Sequence, residues 1–193
     1  MQTIALIEKF KINSVRQYDW DTNKGKTEHY LIVGSIDDKY GVIDNEGNVI
    51  VPFEYDNITR IGYELLQTSN GGKVGLVHIE NDQDEFDILV GMPEAGRFFV
   101  SNIIPCEYDY VDSFLKEGVV FLENYHHSGR EIRAYFTFTR KLTEDVFCGY
   151  HIIDKEEDLV NLYGHGMVYL YDIYTGECLR SRYGEYKEIS MLD

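Results

Sequence analysis

The chain has 193 residues, 44 % of them apolar, with 34 acidic against 18 basic side chains and a formal net charge of −16. That length and apolar content suit a folded domain with a full core and exclude disorder as the reason for the charge. The charge argues against nucleic acid, whose phosphates are bound by Lys and Arg, and against an anionic membrane surface for the same reason. The opening Met1–Lys9 lacks a basic segment followed by a long apolar one, and no apolar run approaches a membrane span. The cytoplasm is therefore the expected location.

In chain order, Gln17-Tyr18-Asp19 precedes the sole tryptophan, Trp20, whose ring is either partly buried or a partner-binding anchor. Strands are expected at 30–34, 40–44, 48–51, 64–68 and 73–78, separated by turn residues. Asn45-Glu46-Gly47 suits a three-residue hairpin loop and Ser69-Asn70-Gly71-Gly72 another turn, with glycines at positive φ. Pro52 and Pro105 are expected at strand ends, where a missing N–H matters least. Tyr40, Val42, Tyr55, Leu76, Val77, Ile104 and Tyr108 are the expected core. Further strands are expected at 118–124, 132–139, 149–153, 159–163 and 167–173, with Phe136 and Phe138 on one face. Residues 154–164 could also be read as a short helix, but Leu159–Tyr163, Gly164-His165-Gly166 and Met167–Asp172 align with 64–78, so at most one helical turn is expected at 154–158.

Segments of this series recur. Tyr40-Gly41-Val42-Ile43-Asp44, a turn ending at Gly47, Val49-Ile50-Val51-Pro52 and the closing Tyr55-Asp56 are echoed by Lys73-Val74-Gly75-Leu76-Val77 and by Ile104-Pro105-Cys106-Glu107-Tyr108-Asp109. The stretch 39–58 resembles a WG repeat, a bacterial β-repeat unit, with Tyr40 in place of the namesake tryptophan. The resemblance covers two units, about 39–58 and 73–111, while Tyr18-Asp19 and Glu185-Tyr186-Lys187 mark degenerate ones. It implies an interaction module without catalytic residues. The expected fold is all-β: one domain, 1–193, of about five antiparallel hairpin units in a curved or solenoid-like sheet, a closed barrel or small propeller also fitting the period.

The second unit carries an insertion at about 80–100 with the acids Asp82, Asp84, Glu85 and Asp87, and a second acidic run is Glu156, Glu157 and Asp158. The insertion resembles the start of a calcium loop but has Asp87 where the loop needs glycine and Pro93 where it needs glutamate, so no metal is expected. His126-His127 read as a hairpin tip, since neighbours on a strand point to opposite faces. Cys106, Cys148 and Cys178 form no Cys-x-x-Cys pair, and Cys106 and Cys178 are expected as buried free thiols. The Tyr-Asp pairs recur, as packing-and-turn devices do and catalytic dyads do not. No catalytic residue and no cofactor is expected. The expectation is a non-enzymatic protein-binding module whose partner is basic, bound through the two acidic runs and Trp20. Its specific form is an inhibitor or immunity-type protein against a basic toxin or nuclease. The alternatives are a generic scaffold and, as an outsider, an enzyme with dispersed carboxylates.

Overall fold

The computed structural model describes residues 2–19, 30–62, 64–81, 97–114, 118–154 and 158–183. One short helix, α1 (Gln2–Phe10), precedes four four-stranded sheets. The first holds β1 (Ser14–Asp19), β2 (Tyr30–Ile36), β3 (Lys39–Asp44) and β4 (Val49–Tyr55). The second holds β5 (Asn57–Arg60), β6 (Leu65–Asn70), β7 (Lys73–Asn81) and β8 (Phe98–Tyr108). The third holds β9 (Tyr110–Phe114), β10 (Val119–His126), β11 (Gly129–Phe136) and β12 (Lys141–Leu142). The fourth holds β13 (Gly149–Asp154), β14 (Leu159–Gly164), β15 (Met167–Asp172) and β16 (Cys178–Tyr183). Sequence neighbours are sheet neighbours throughout, so each sheet is an up-and-down meander and none of the four closes into a barrel. The all-β, hairpin-by-hairpin expectation holds.

The turns are of two kinds. Asn45-Glu46-Gly47 is a three-residue loop: Gly47 N–H donates to Asp44 O at 3.1 Å, Asp44 N–H to Asn48 O at 3.0 Å, and Gly47 stands at φ 89°. The buried Asp44 carboxylate holds the loop by accepting from the amides of Glu46 and Asn48. Asn70 pairs with Lys73 across Gly71-Gly72, both at positive φ, the geometry whose twist matches a hairpin. His165-Gly166 repeats it, so 159 onward is strand and turn rather than helix. Asp154 ends β13, and residues 155–157 lie outside the described residues.

Two compact units result, Met1–Glu107 and Tyr108–Asp193. In the first, Leu31, Val33, Val42 and Val51 of the first sheet pack with Ile58, Leu66, Val77 and Phe98 of the second. The other face of the first sheet, with Ile32 and Ile43, is covered by Leu6, Ile7 and Phe10 of α1. Both faces being buried explains why β2 reads as an unbroken apolar run. In the second unit, Phe121, Ile132 and Phe136 of the third sheet pack with Val160 and Leu162 of the fourth and with Phe147, which precedes β13 and bridges to Ile132. Of the expected core, Val42, Tyr55, Leu76, Val77, Ile104 and Tyr108 are buried, while Tyr40 is half-buried with the Arg16 guanidinium over its ring.

Several expectations are corrected. Pro52 and Pro105 lie inside β4 and β8 rather than at strand ends. Both are outer strands, and β4 slips register against β3 between Tyr40 and Val42, so the missing N–H falls where pairing is already broken. Phe136 is buried but Phe138 is exposed, because β11 ends at Phe136 and Phe138 stands in the turn beyond it. Cys178 is exposed on the outer strand β16, and Cys106 is only partly buried. The insertion is partly strand, β7 reaching Asn81 and β8 starting at Phe98, with 82–96 outside the described residues.

Candidate functional site

Of the predicted partner-binding residues, Trp20, Asp82, Asp84, Glu85, Asp87, Glu156 and Glu157 lie outside the described residues. Asp158 is described. It is half-buried in the turn before β14, at φ 51°, and its carbonyl accepts from Ile173 N–H at 2.9 Å. Its backbone therefore shapes the turn, and the left-handed conformation is one that Asp tolerates.

The Tyr-Asp pairs are structural, in a form the sequence did not disclose. Asp56 N–H donates to Ser69 O and Asp109 N–H to Glu123 O, each at 2.8 Å. The Asp56 carboxylate accepts from Gly71 N–H at 2.7 Å and that of Asp109 from Tyr125 N–H at 2.9 Å. Each carboxylate therefore caps the hairpin of the following sheet rather than the adjacent turn. Lys39 Nζ lies 2.6 Å from Asp56, and this bond, with that from Gly71, holds the Asp56 carboxyl below its ordinary pKa. The same backbone bond opens the other two sheets: Asn13 N–H to Ser35 O at 2.8 Å and Cys148 N–H to Tyr163 O at 2.7 Å. Ile12-Asn13 and Phe147-Cys148 thus stand where the repeat has Tyr-Asp, and Tyr18-Asp19 does not, lying within β1.

The repeat glycine has an equally specific cause. A Cβ on Gly41 would lie 2.8 Å from Val51 O and 2.7 Å from the Phe53 ring, and one on Gly75 would strike Ile104 O and Pro105. The outer strand, bent at its proline, crosses directly over the glycine. Residues 40–73 and 101–123 match the family model of the WG containing repeat. The chain carries two WG repeats. No curated protein matches the chain. In the WG repeats, then, aromatic, glycine, proline and Tyr-Asp each serve packing or turn geometry, which leaves the polar and aromatic side chains at other positions without a repeat role.

Such side chains converge in the second unit. Strand alternation and register put Tyr110 and Asp112 of β9, Phe121, Glu123 and Tyr125 of β10, and Arg130 and Ile132 of β11 on one face, with Tyr110 opposite Glu123 and Tyr125 opposite Arg130. Tyr150 of β13 completes the group, stacked on Phe121 at 3.7 Å with its hydroxyl donating to Asp112. The Glu123 carboxylate is buried, accepts from Tyr125 Oη at 2.8 Å and lies 3.5 Å from an Arg130 nitrogen. The Arg130 guanidinium sits 5.5 Å from the Tyr150 ring centre and donates to Cys148 O at 3.2 Å. Burial above all, then the bond to Asp112, pushes the Tyr150 hydroxyl far above the ordinary range, and the bond to Glu123 raises that of Tyr125. Both stay protonated donors at neutral pH. The rings of Tyr110 and Tyr125 are exposed beside these acids.

Sequence reading missed this cluster because its members are spread over 110–150 and meet only through register. A signal was present: by strand alternation Glu123 occupies the face of Phe121, an acid where an apolar residue belongs. His126 and His127 are exposed at the β10–β11 turn, with His126 Nε2 3.3 Å from Glu131, as expected of a hairpin tip. Among the described residues, no helix is long and apolar enough to cross a membrane.

Proposed function

We propose that the chain is a non-enzymatic protein-binding module of the cytoplasm whose partner presents a basic side chain to the face carrying Tyr110, Asp112, Glu123 and Tyr125. The supporting observation is the charge arrangement: Arg130 stands against Glu123, whereas Asp112 is met by the neutral hydroxyl of Tyr150. Arg130 over Tyr150 displays the mode of binding, a cation on a ring beside a carboxylate. A lysine or arginine of the partner would take the same environment between the exposed tyrosines. The charge of −16 adds long-range attraction for such a partner.

In its most specific form the chain is an inhibitor or immunity-type protein that neutralises a basic toxin or nuclease. A generic scaffold is the alternative. An enzyme fits less well, because the hydroxyls of Tyr125 and Tyr150 are driven away from neutral proton transfer.

The test is calorimetry of the full chain with a Lys/Arg-rich peptide. Asp112→Asn keeps an acceptor for Tyr150 and should weaken binding by roughly tenfold, about 1.4 kcal/mol. Glu54→Gln, in the other compact unit, removes the same charge and should change binding little. Equal effects of the two variants would reduce the attraction to bulk charge and sink the site.

A further inference from the structure

The fourth strands of the sheets are built differently. Asp172 N–H donates to Glu177 O at 3.1 Å as Asp44 N–H does to Asn48 O. Tyr171 pairs with Cys178 as Ile43 does with Val49, and Leu170 with Arg180 as Val42 does with Val51. By this correspondence Tyr169 occupies the place of Gly41 and Ser181 that of Pro52. In the WG repeats the glycine lets the outer strand bend across its neighbour and the proline removes an N–H, two devices that close a sheet edge. The fourth sheet has neither. With Tyr169 in the way of any such bend, β16 stays in regular register from Leu170↔Arg180 to Met167↔Tyr183.

The strand is also open. It is the last of its sheet among the described residues, and all six of its residues are exposed, Tyr183 to 89 %. Arg180 and Arg182 alternate along it, opposite Leu170 and Val168 and so on one face. In a chain with nearly twice as many acids as bases, neither guanidinium has an ion-pair partner among the described residues. Charges on an edge strand also discourage self-pairing, and two arginines would repel their copies in an edge-to-edge dimer. They favour a strand of opposite charge.

We infer that the free edge of β16 is a docking site for an extended acidic segment of a partner protein, added as a further strand with its carboxylates against Arg180 and Arg182. This surface is independent of the basic-partner face. The net charge of the chain opposes the approach of such a segment at long range, but at about 0.15 M salt that field is screened beyond about 8 Å while contact pairs persist.

The experiment measures fluorescence anisotropy of a labelled peptide of alternating Thr and Glu with the full chain at that salt. Three companions are compared: the Thr/Lys peptide, a Thr/Glu peptide N-methylated at alternate residues, and the R180E/R182E variant. The wild type should bind the Thr/Glu peptide, and the variant should lose at least about tenfold in affinity for it while gaining for the Thr/Lys peptide. N-methylation should abolish binding, since strand addition needs the peptide N–H groups. No binding by the wild type, unchanged affinity of the variant, or equal binding of the methylated peptide would each overturn the inference. Should R180E/R182E unfold, R180Q/R182Q reads the loss arm with a smaller charge change, and unchanged affinity there overturns it as well.

Discussion

Two glycines at positive φ separate backbone strain from tertiary contact. Gly47 (φ 89°) and Gly71 (φ 60°) both lie in the compact unit Met1–Glu107, so both act on the same unfolding transition. A Cβ on Gly71 meets nothing within 4 Å, whereas one on Gly47 would lie 2.7 Å from Leu6 Cδ2 and 3.3 Å from the Phe10 ring. Gly71→Ala should therefore lose only the left-handed penalty, roughly 1–2 kcal/mol. Gly47→Ala also forces the buried Leu6 side-chain end to shift beside the Phe10 ring, an overpacking cost of roughly 1–3 kcal/mol, for a total of roughly 2–5 kcal/mol. Urea denaturation of the full chain measures both. The double variant Gly47→Ala/Leu6→Ala removes the colliding group, and its destabilisation should fall short of the sum of the single variants by roughly 1 kcal/mol or more. Equal costs for Gly47→Ala and Gly71→Ala, with additive behaviour in the double variant, would refute the packing of α1 on this hairpin.

Truncating Tyr55 or Tyr108 to Ala should destabilise by about 3–5 kcal/mol, as for other large buried rings, measured by thermal unfolding; a loss under about 1 kcal/mol would contradict their burial. Asp56→Ala and Asp109→Ala should speed amide exchange of Gly71 and Tyr125 respectively while leaving the other hairpin unaffected, and unchanged exchange would remove the carboxylate caps. Burial first, then neighbouring acidic groups, pushes Tyr171 up to about 12 from 10.0. The unfolded chain therefore releases this proton first, and the stability tied to neutral Tyr171 is complete below pH 10 and is lost as pH rises toward about 12. Tyrosinate absorbance should show part of the tyrosines titrating later in the folded chain than in urea; coincident curves would refute the burial.

What was legible in the sequence is what is decided locally. Gly47, Gly71 and Gly72 disclose their turns because few residues take positive φ without strain, and the apolar runs between such turns disclosed β6, β7 and β14. The two prolines were expected at strand ends and instead stand inside outer strands, since the register slip that accommodates Pro52 depends on Gly41 one strand away. Helix α1 was hidden because only Leu6, Ile7 and Phe10 of its residues pack on the sheet while Ile4 faces solvent, a stripe too short to separate from a strand by period. The opening of each sheet was half legible: Tyr55-Asp56 and Tyr108-Asp109 stand out, but Ile12-Asn13 and Phe147-Cys148 share with them only a backbone bond, which any residue type can make.

That backbone bond explains how the chain can drift so far from its own repeat. The N–H that opens each sheet is independent of the side chain, so Asp can become Asn or Cys once another contact holds the hairpin. At Cys148 the thiol is directed to Tyr163 O at 3.2 Å, the carbonyl its own N–H already engages, and the His165-Gly166 turn stands without a carboxylate cap from that position. The aromatic requirement is stricter, because Tyr55, Tyr108 and Phe147 all fill buried volume, and the one aliphatic replacement, Ile12, comes in the sheet that α1 also covers. Divergence is therefore cheapest in the side chains that cap and close edges, and dearest in those that pack. The residues proposed for recognition pack little: Tyr110 is exposed and Asp112 half-buried on the face of the third sheet, and Arg180, Ser181 and Arg182 are exposed on the edge of the fourth. The second group lies outside both matched segments, and the first falls within 101–123 at positions other than the recurring glycine, proline and Tyr-Asp.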